Sequence, residues 1–404
     1  MPDDLKGVAA RGRDKKAEAG QDVDLNQYSR QGGDWAYDEQ YQGFDAAERS
    51  HLLKAGIELT DEEHAATFFQ ADRAVMHCKV SQPGVEVLPI TEALARYEWL
   101  TDYYWRLVAP DSDKYTAQTA LDLDNGYFIR ALPGAKIAYP VETCLYIRTE
   151  GLAQHVHNIV IAEPESELNV ITGCTTHPGV KAGLHLGISE FYVKAGARVN
   201  FTMVHNWGSD IHVRPRSAIL VEEKGTFISN YILLKPVKSV QMDPLVRLTG
   251  TGAVTTLQSI VVAHPDTELD LGSRVYLEAP QTRAEVIARS VTTGGKSISR
   301  GHLVGKFPDV KAHLECQGLI LSETGIIHAI PELSGEVAGV EMSHEAAVGK
   351  IAQEEIEYLM ARGLDEDEAA STIVRGFLSI KIEGLPLALE EEIERTIREA
   401  RKGL

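Results

Sequence analysis

Three stretches of the sequence repeat one pattern: IVIAEPESELNVIT (159–172), FYVKAGARVNFTMV (191–204) and AILVEEKGTFISNY (218–231). In each, a run of β-branched and aromatic residues enters a polar turn, and a second run leaves it. Turns of similar chemistry recur near Gly252, Thr267, Gly295 and Gly325. A recurrence of roughly thirty residues that carries short strands and tight turns is typical of a stacked solenoid. The sequence therefore predicts a mainly β protein with a right-handed parallel β-helix as its core.

The β-rich texture extends from about residue 115 to about residue 341, and we assign this range to the β-helix core. An antiparallel sandwich or a double-stranded barrel would also contain many short strands. The even spacing of the turns argues against the mixed connection lengths of those folds. An open β-helix exposes edge strands, so we expect dimerisation through such an edge.

Helical patterns flank this core. Residues 1–114 read as a polar arm, which orders only on contact, followed by helical segments and one strand-like insertion, AVMHCKV (74–80). Residues 342–404 read as a C-terminal helical domain, with Ser343 as the N-cap of its first helix.

Composition narrows the function classes. The 404 residues carry a formal net charge of −19, and an acidic surface repels phosphate backbones and anionic lipids. Residues 1–24 contain no apolar run of the kind a signal peptide needs, and no apolar run of membrane-spanning length occurs. The four cysteines form no CxxC pair. We therefore expect a soluble cytoplasmic protein with free thiols and no nucleic-acid or membrane partner.

Two segments contain residue types that could bind a metal. Cys316 lies in KAHLECQGLILSE (311–323), where strand alternation places Leu314, Cys316 and Gly318 on one face. His344 and Glu345 stand where the strands are predicted to stop and a helix to start. A buried structural cysteine and a glutamate that complements a helix dipole are the alternative interpretations.

Three segments together resemble the SufB/SufD family of iron–sulfur cluster assembly scaffolds: HVHNIVIAEPESELNVITGCTT (155–176), VNFTMVHNWG (199–208) and MSHEAAVGKIAQEEIEYLMARGLDEDEAASTIVRGF (342–377). The matches are colinear and cover roughly residue 115 to the C-terminus. The resemblance implies a β-helix scaffold that holds a transient iron–sulfur cluster. It implies that Cys316 is the principal cluster ligand and that His344 and Glu345 are further ligands; the glutamate favours a SufB-type member.

The resemblance also assigns roles inside the core. Cys174 is similar to the cysteine that accepts sulfur in SufB-type proteins, and its sequence neighbours His177 and Lys181 are candidates for lowering the pKa of its thiol. His205, Trp207 and Arg148 match positions that line an internal passage. The family usually has an amide residue at the position of His205.

The implied partners are a SufC-type ABC ATPase, recipient apoproteins, and a second subunit in a homodimer or a SufB/SufD-type heterodimer. The ATPase is expected to dock on the C-terminal helices around residues 380–389. The segment TTGGKSISR (292–300) lacks the first glycine of a phosphate-binding loop, so we expect no nucleotide on this chain.

Two enzyme readings remain as alternatives. A β-helix enzyme acting on polysaccharide would need a carboxylate cluster or an aromatic cleft, but no regular ladder of acidic residues occurs and aromatic residues make up only 7% of the chain. A cupin-like metal enzyme could use His155 and His157, which share one face of a strand. Gly151 and Glu163 meet the cupin spacing poorly.

Overall fold

The computed structural model describes residues 4–59, 63–378, 391 and 395. Within them the chain forms a parallel β-solenoid of about eight turns, with helices toward both termini. The helices are α1 (Leu5–Ala10), α2 (Ala46–Leu53), α3 (Ile90–Arg96), α4 (Lys114–Leu121), α5 (Gln353–Met360) and α6 (Glu366–Leu378).

The strands form a 10-stranded and a 12-stranded sheet that enclose the core. They are β1 (Ala66–Ala71), β2 (Ala74–Val80), β3 (Val85–Pro89), β4 (Tyr127–Ala131), β5 (Val141–Ile147), β6 (Ala153–Ala162), β7 (Glu167–Thr176), β8 (Ala182–Val193), β9 (Arg198–Asn206), β10 (Asp210–Val213), β11 (Arg216–Val221), β12 (Thr226–Leu233), β13 (Ser239–Met242), β14 (Leu245–Leu248), β15 (Val254–Ala263), β16 (Glu268–Leu271), β17 (Arg274–Leu277), β18 (Arg283–Thr292), β19 (Lys296–Gly305), β20 (Lys311–Ile320), β21 (Ile326–Gly335) and β22 (Glu341–Gly349).

Successive turns stack in register, which confirms the predicted β-helix. In the 10-stranded sheet, Val170 of β7 pairs with Phe201 of β9, and Val286 of β18 pairs with Leu314 of β20. These four side chains belong to one continuous apolar cluster inside the solenoid. The roughly thirty-residue recurrence is thus the length of one turn, and it places the same inward position of each turn above the last.

In the central turns, two short strands take the place of one long strand in the 12-stranded sheet. Between two long strands the chain forms pairs of short strands, β10 with β11 and β13 with β14, which add to the 12-stranded sheet. Pro215 separates the first pair and Pro244 the second. Proline has no N–H to donate to a ladder, so each proline ends one short strand and allows the chain to bend before the next.

The N-terminal region contains more strand than the sequence predicts. In addition to β2, which contains the predicted insertion, β1 pairs in parallel with β5 and β3 pairs antiparallel with β4. All six residues of β1 are buried. Burial against the first turns explains why this segment is a strand, since tertiary pairing outweighs local helical preference.

The polar arm lies along the solenoid and is held there by buried polar contacts. The guanidinium of Arg214, which is fully buried, donates to the carbonyl of Gln21 at 2.9 Å. Further along, Trp35 Nε1 donates to the carboxylate of Asp72 at 2.8 Å. Because these partners sit on the solenoid, the arm orders through contact with it, as its composition suggests.

The prediction that a helix begins at Ser343 is wrong. Residues Glu341–Gly349 form β22, which pairs in parallel with β20, and the first C-terminal helix begins only at Gln353. Ser343 Oγ lies 2.9 Å from His313 Nδ1 on the neighbouring strand instead of capping a helix. Backbone hydrogen bonds with the edge of β20 make this segment a strand, and a single sequence does not reveal that this edge is available.

The C-terminal helices α5 and α6 confirm a helical tail. Val374 and Leu378 of α6 pack on an apolar stripe of the outer face of the 10-stranded sheet, which includes Ile232 and Ile260. The predicted docking segment (380–389) lies outside the described residues, as does the third predicted helix (385–404) apart from residues 391 and 395. No helix in the described part of the chain is long and apolar enough to cross a membrane.

Candidate functional site

Cys174 lies on β7 with its side chain inside the solenoid. It pairs in register with His205 of the next turn, and adjacent strands lie about 4.8 Å apart, so the two side chains are neighbours on one face. The cysteine is 1% exposed and belongs to the interior apolar cluster. Cys174 and His205, singled out separately in the sequence, are therefore brought together.

Polar groups surround Cys174 within an otherwise aliphatic interior. On one side, the hydroxyl of Thr172 lies 2.7 Å from that of Thr143 and 3.1 Å from that of Tyr127. On the other side, the hydroxyl of Tyr231 lies 3.0 Å from Nδ1 of His205. Buried hydroxyls and imidazoles need such partners, and each of these groups has one.

The expectation that His177 and Lys181 lower the pKa of the Cys174 thiol is wrong. Burial raises the pKa of that thiol far above its ordinary value. The side chain of His177 instead lies near Glu48, with Nε2 at 3.6 Å from its carboxylate. Because burial disfavours the thiolate, Cys174 rests as a neutral thiol.

Trp207 and His205 are also neighbours, as the resemblance implies. The ring centroids of Trp207 and His205 are 5.4 Å apart, and the centroid of His185 lies 5.0 Å from that of Trp207. Trp207 is 4% exposed, yet its Nε1 has no hydrogen-bond partner among the described residues. A buried indole N–H without an acceptor is uncommon in folded proteins.

Arg148 lies apart from this group. Its guanidinium stacks 4.4 Å from the ring centre of Trp35 and lies 3.1 Å from the carboxylate of Glu48. Both partners belong to the N-terminal segment outside the solenoid. The structure therefore does not bring Arg148 together with His205 and Trp207, and its predicted place in an internal passage has no geometric support.

Cys316 lies on β20, close to the carboxyl-terminal end of the solenoid. It is 2% exposed and stands in register between Ala288 of β18 and Ala346 of β22. Ser299 Oγ lies 3.7 Å from its sulfur. Burial raises the pKa of the Cys316 thiol, and the Ser299 hydroxyl partly offsets that rise.

His344 and Glu345 lie on β22, the last strand of the same sheet. His344 pairs with Leu314, which faces the core two residues from Cys316, so His344 and Cys316 share one face. Glu345 pairs with Glu315 and faces the other way. Both residues of β22 are exposed. Within the described residues, no group of three or more His, Cys, Asp or Glu side chains is arranged to hold a metal ion.

The last turn of the solenoid is open. Within the described residues, the strands β21 and β22 each pair on one side only, with β19 and β20. Positions that are buried in earlier turns are exposed here, including Leu333 at 37% and Val348 at 43%. The part of the chain that the structure describes thus leaves two strand edges unpaired and an apolar end uncovered beside Cys316.

The histidines of the HxH pair are held by different partners. Nδ1 of His155 lies 2.8 Å from the carbonyl oxygen of Asp122, and Nε2 of His157 lies 2.8 Å from the carboxylate of Glu190. Glu190 also accepts the backbone N–H of Trp105 at 2.7 Å. These contacts fasten the N-terminal region to the solenoid, so they favour a structural role for both histidines.

Sequence reasoning missed Tyr231 and Ser299. Tyr231 falls in a predicted strand but in no motif, and Ser299 falls in TTGGKSISR, which the sequence suggests only as a poor match to a phosphate-binding loop. Aligning the segments by the length of one turn would find Tyr231, because Tyr231 pairs with Met203, two residues from His205 on the same strand face. Ser299 approaches Cys316 from the opposite sheet, and no spacing along the chain predicts that contact.

The chain is thus a parallel β-solenoid protein. The thiols of Cys174 and Cys316 are buried in different turns, and the last described turn is open. Residues 145–377 match the family model described as SUF system FeS cluster assembly, SufBD core domain. A relative from Archaeoglobus fulgidus, named iron-sulfur cluster assembly SufBD family protein, is 52% identical over 88% of this chain and 96% of its own. Relatives of the same family name include one from Methanothermobacter thermautotrophicus (strain Winter), 47% identical over the full length of both chains, and one from Pyrococcus horikoshii, 31% identical over 87% of this chain and 80% of its own.

The chain therefore belongs to the iron–sulfur cluster assembly SufBD family.

Proposed function

We propose that this chain is a non-catalytic scaffold of the SUF system in the cytoplasm, on which an iron–sulfur cluster is assembled transiently and then passed to apoproteins. The observation that carries the proposal is the position of Cys316 one turn from the open end, with His344 on the same face of the last strand. Thiolate and imidazole both bind iron. Few protein ligands leave a cluster labile, which suits transfer to a recipient.

The ligand set is completed by a second subunit in this proposal. The open end offers unpaired strand edges and exposed apolar side chains, features that natural proteins normally cover. Two copies that meet end to end would enclose Cys316 and His344 from both. A homodimer is the simpler arrangement, and a heterodimer with a related chain would use the same surface.

Glu345 is the weakest of the three proposed ligands. It lies on the opposite face of β22 from His344, beside Glu315. We expect Glu345→Ala to bind a cluster nearly as well as the unmodified protein, and His344→Ala to bind it less well.

Cys174 is the proposed sulfur acceptor. Its place deep in the solenoid, with hydroxyl and imidazole groups around it, suits a thiol that must be protected from oxidation while it carries sulfur. The interior between Cys174 and Cys316 is the proposed route of the sulfur, with His205 and Trp207 on its wall.

A SufC-type ATPase is the proposed source of ATP hydrolysis. Family membership supports this partnership, and residues 380–389 are its proposed docking segment. Truncation after Phe377 is expected to abolish co-purification with the ATPase. Truncation of residues 395–404 serves as the control, and retained binding after the longer truncation would rule out this docking segment.

Anaerobic reconstitution with iron and sulfide tests the scaffold itself. The purified protein is expected to turn brown and gain charge-transfer absorbance, and Cys316→Ala is expected to lose it. Cys78→Ala is the matched control, because Cys78 lies on β2 at the other end of the sheet. A Cys316→Ala protein that binds the same amount of iron and sulfide as the unmodified protein would contradict the proposal.

A further inference from the structure

The strongest unexplained group in the interior is the set of polar side chains around Cys174. His205 on β9 pairs in register with Cys174 on β7, and Tyr231 contacts His205. The thiol of Cys174 contributes to raising the pKa of Tyr231, which shows that the phenol and the thiol are close in space. Trp207 adds a buried N–H beside the His205 ring, and this N–H has no partner in the part of the chain that the structure describes.

We infer that these side chains form a persulfide site, in which His205 accepts the proton of Cys174, Tyr231 fixes the His205 ring, and the Trp207 N–H binds the incoming sulfur. This inference rests on the proposed role of Cys174 as the sulfur acceptor. That role alone does not say which group takes the proton of Cys174, and it assigns no task to Tyr231.

A base is needed because burial leaves Cys174 protonated, and only the thiolate is a nucleophile. Burial also lowers the pKa of His205 well below its ordinary value, so its ring is neutral and has a lone pair available. Each charge alone would be costly in this interior. Passing the proton from Cys174 to His205 creates a thiolate and an imidazolium side by side, with no net charge added.

The groups that face this pair support such an exchange. They are Tyr231 of β12, His185 of β8 and Tyr127 of β4, all neutral at physiological pH. The pKa of Cys174 is shifted by burial alone. Among the described residues, therefore, no fixed charge competes with His205 for the proton.

The sulfur transfer balances without an oxidant. The Cys174 thiolate attacks the terminal sulfur of a small alkyl persulfide, R–S–SH, and a new S–S bond forms at Cys174. The S–S bond of the donor breaks, and its electron pair leaves with R–S⁻. That thiolate takes the proton from the His205 imidazolium and departs as R–SH, so His205 is neutral again. The Trp207 N–H, which lacks an acceptor before transfer, donates to the sulfur that Cys174 has gained.

The test measures persulfide formation at Cys174 by peptide mass spectrometry, with cysteine persulfide as the donor and across a range of pH. His205→Gln is expected to slow the reaction at least about tenfold near neutral pH, in line with loss of a general base. The deficit should shrink as pH rises, because hydroxide then removes the proton. Tyr231→Phe, which removes one oxygen atom, is expected to give a smaller loss with an unchanged pH profile.

Trp207→Phe keeps an aromatic ring and removes the N–H. It is expected to shorten the lifetime of the persulfide once formed, because the sulfur gained by Cys174 then has no N–H donor at this position. An unchanged lifetime would remove Trp207 from the site, and an unchanged rate and pH profile in His205→Gln would overturn the inference.

The infrared S–H stretch of Cys174, isolated by subtraction of a Cys174→Ser spectrum, gives a second readout that needs no reagent to enter the solenoid. The proposed proton transfer requires the thiol to donate to His205; such a hydrogen bond lowers the stretching frequency, so His205→Gln is expected to shift it. No shift would count against the contact. If the unmodified protein forms persulfide at other cysteines but none at Cys174, the acceptor role itself fails, and the inference fails with it.

Discussion

The turn around Cys174 and the turn around Cys316 use the same architecture but differ in how complete they are. Around Cys174, turns stack on both sides, and polar groups such as Tyr231 and His205 satisfy each other inside the solenoid. Beyond Cys316, the described part of this sheet contains only β22, and inward positions such as Val348 are exposed. The described residues enclose Cys174 on both sides, whereas they leave the turn beyond Cys316 exposed, which is why we propose a second subunit there.

The largest expected effect is on dimerisation through the open end of the solenoid. Changing Val348 to Asp would place a charge in the proposed interface between two copies, where burying an unpaired charge costs about 3–5 kcal/mol. We expect the dissociation constant of the dimer to rise at least about a hundredfold. Analytical ultracentrifugation over a concentration series measures it.

Val80→Asp is the matched control for this change. Val80 and Val348 are both 43% exposed, and Val80 lies on β2, the strand at the opposite edge of the same sheet. The control variant should dimerise like the unmodified protein. A protein that is monomeric before any substitution, or equal weakening by both variants, would break the comparison between the two ends.

The second prediction compares packing in the two regions. Phe201 is 4% exposed, and its ring centre lies 4.8 Å from that of Phe191. Phe201→Ala is expected to lower the free energy of unfolding by about 3–5 kcal/mol, because it removes a large buried side chain and leaves a cavity. Leu333→Ala at the open end is expected to cost less than about 1 kcal/mol.

Urea denaturation of both variants measures the free energy of unfolding. Unfolding is monitored with one spectroscopic signal from each end of the solenoid, because stacked turns can unfold separately. Comparable losses for Phe201→Ala and Leu333→Ala at protein concentrations too low for dimers would mean that the last turn is packed as tightly as the middle.

The sequence predicts the middle of the molecule better than its ends. Between Val170 and Leu314 each turn repeats the pattern of its neighbour, so the recurrence alone identifies the solenoid and the inward face of Cys316. At Ser343 local signals favour a helix start, and only pairing with β20 makes the segment a strand. A single sequence does not show which edge is available to a last strand.

The candidate site follows the same division. Cys174 and His205 were both identified from sequence, and the structure places them side by side because they are one turn apart. Arg148 was identified in the same way, yet it lies outside the solenoid on Trp35. Side chains along a strand alternate between the interior and the outer face of the solenoid. A resemblance at one position does not determine to which of the two faces that side chain points.

The smallest expected effect is on acid stability, and it depends on the histidines enclosed in the central turns. Burial lowers the pKa of His185 to about 3, and burial together with Arg30 lowers that of His155 to about 3. An unfolded histidine has a pKa near 6.5, so between these values the unfolded chain binds more protons than the folded one. The free energy of unfolding therefore has its full value above about pH 6.5. It falls as the pH falls, by about 1.4 kcal/mol per histidine near pH 5.5.

His185→Gln should remove one such contribution. The difference between the urea midpoints at about pH 7 and about pH 5.5 should then be smaller than in the unmodified protein. His328→Gln, at an exposed position on β21, should keep the full difference, and if both variants keep it, His185 does not titrate as an enclosed group.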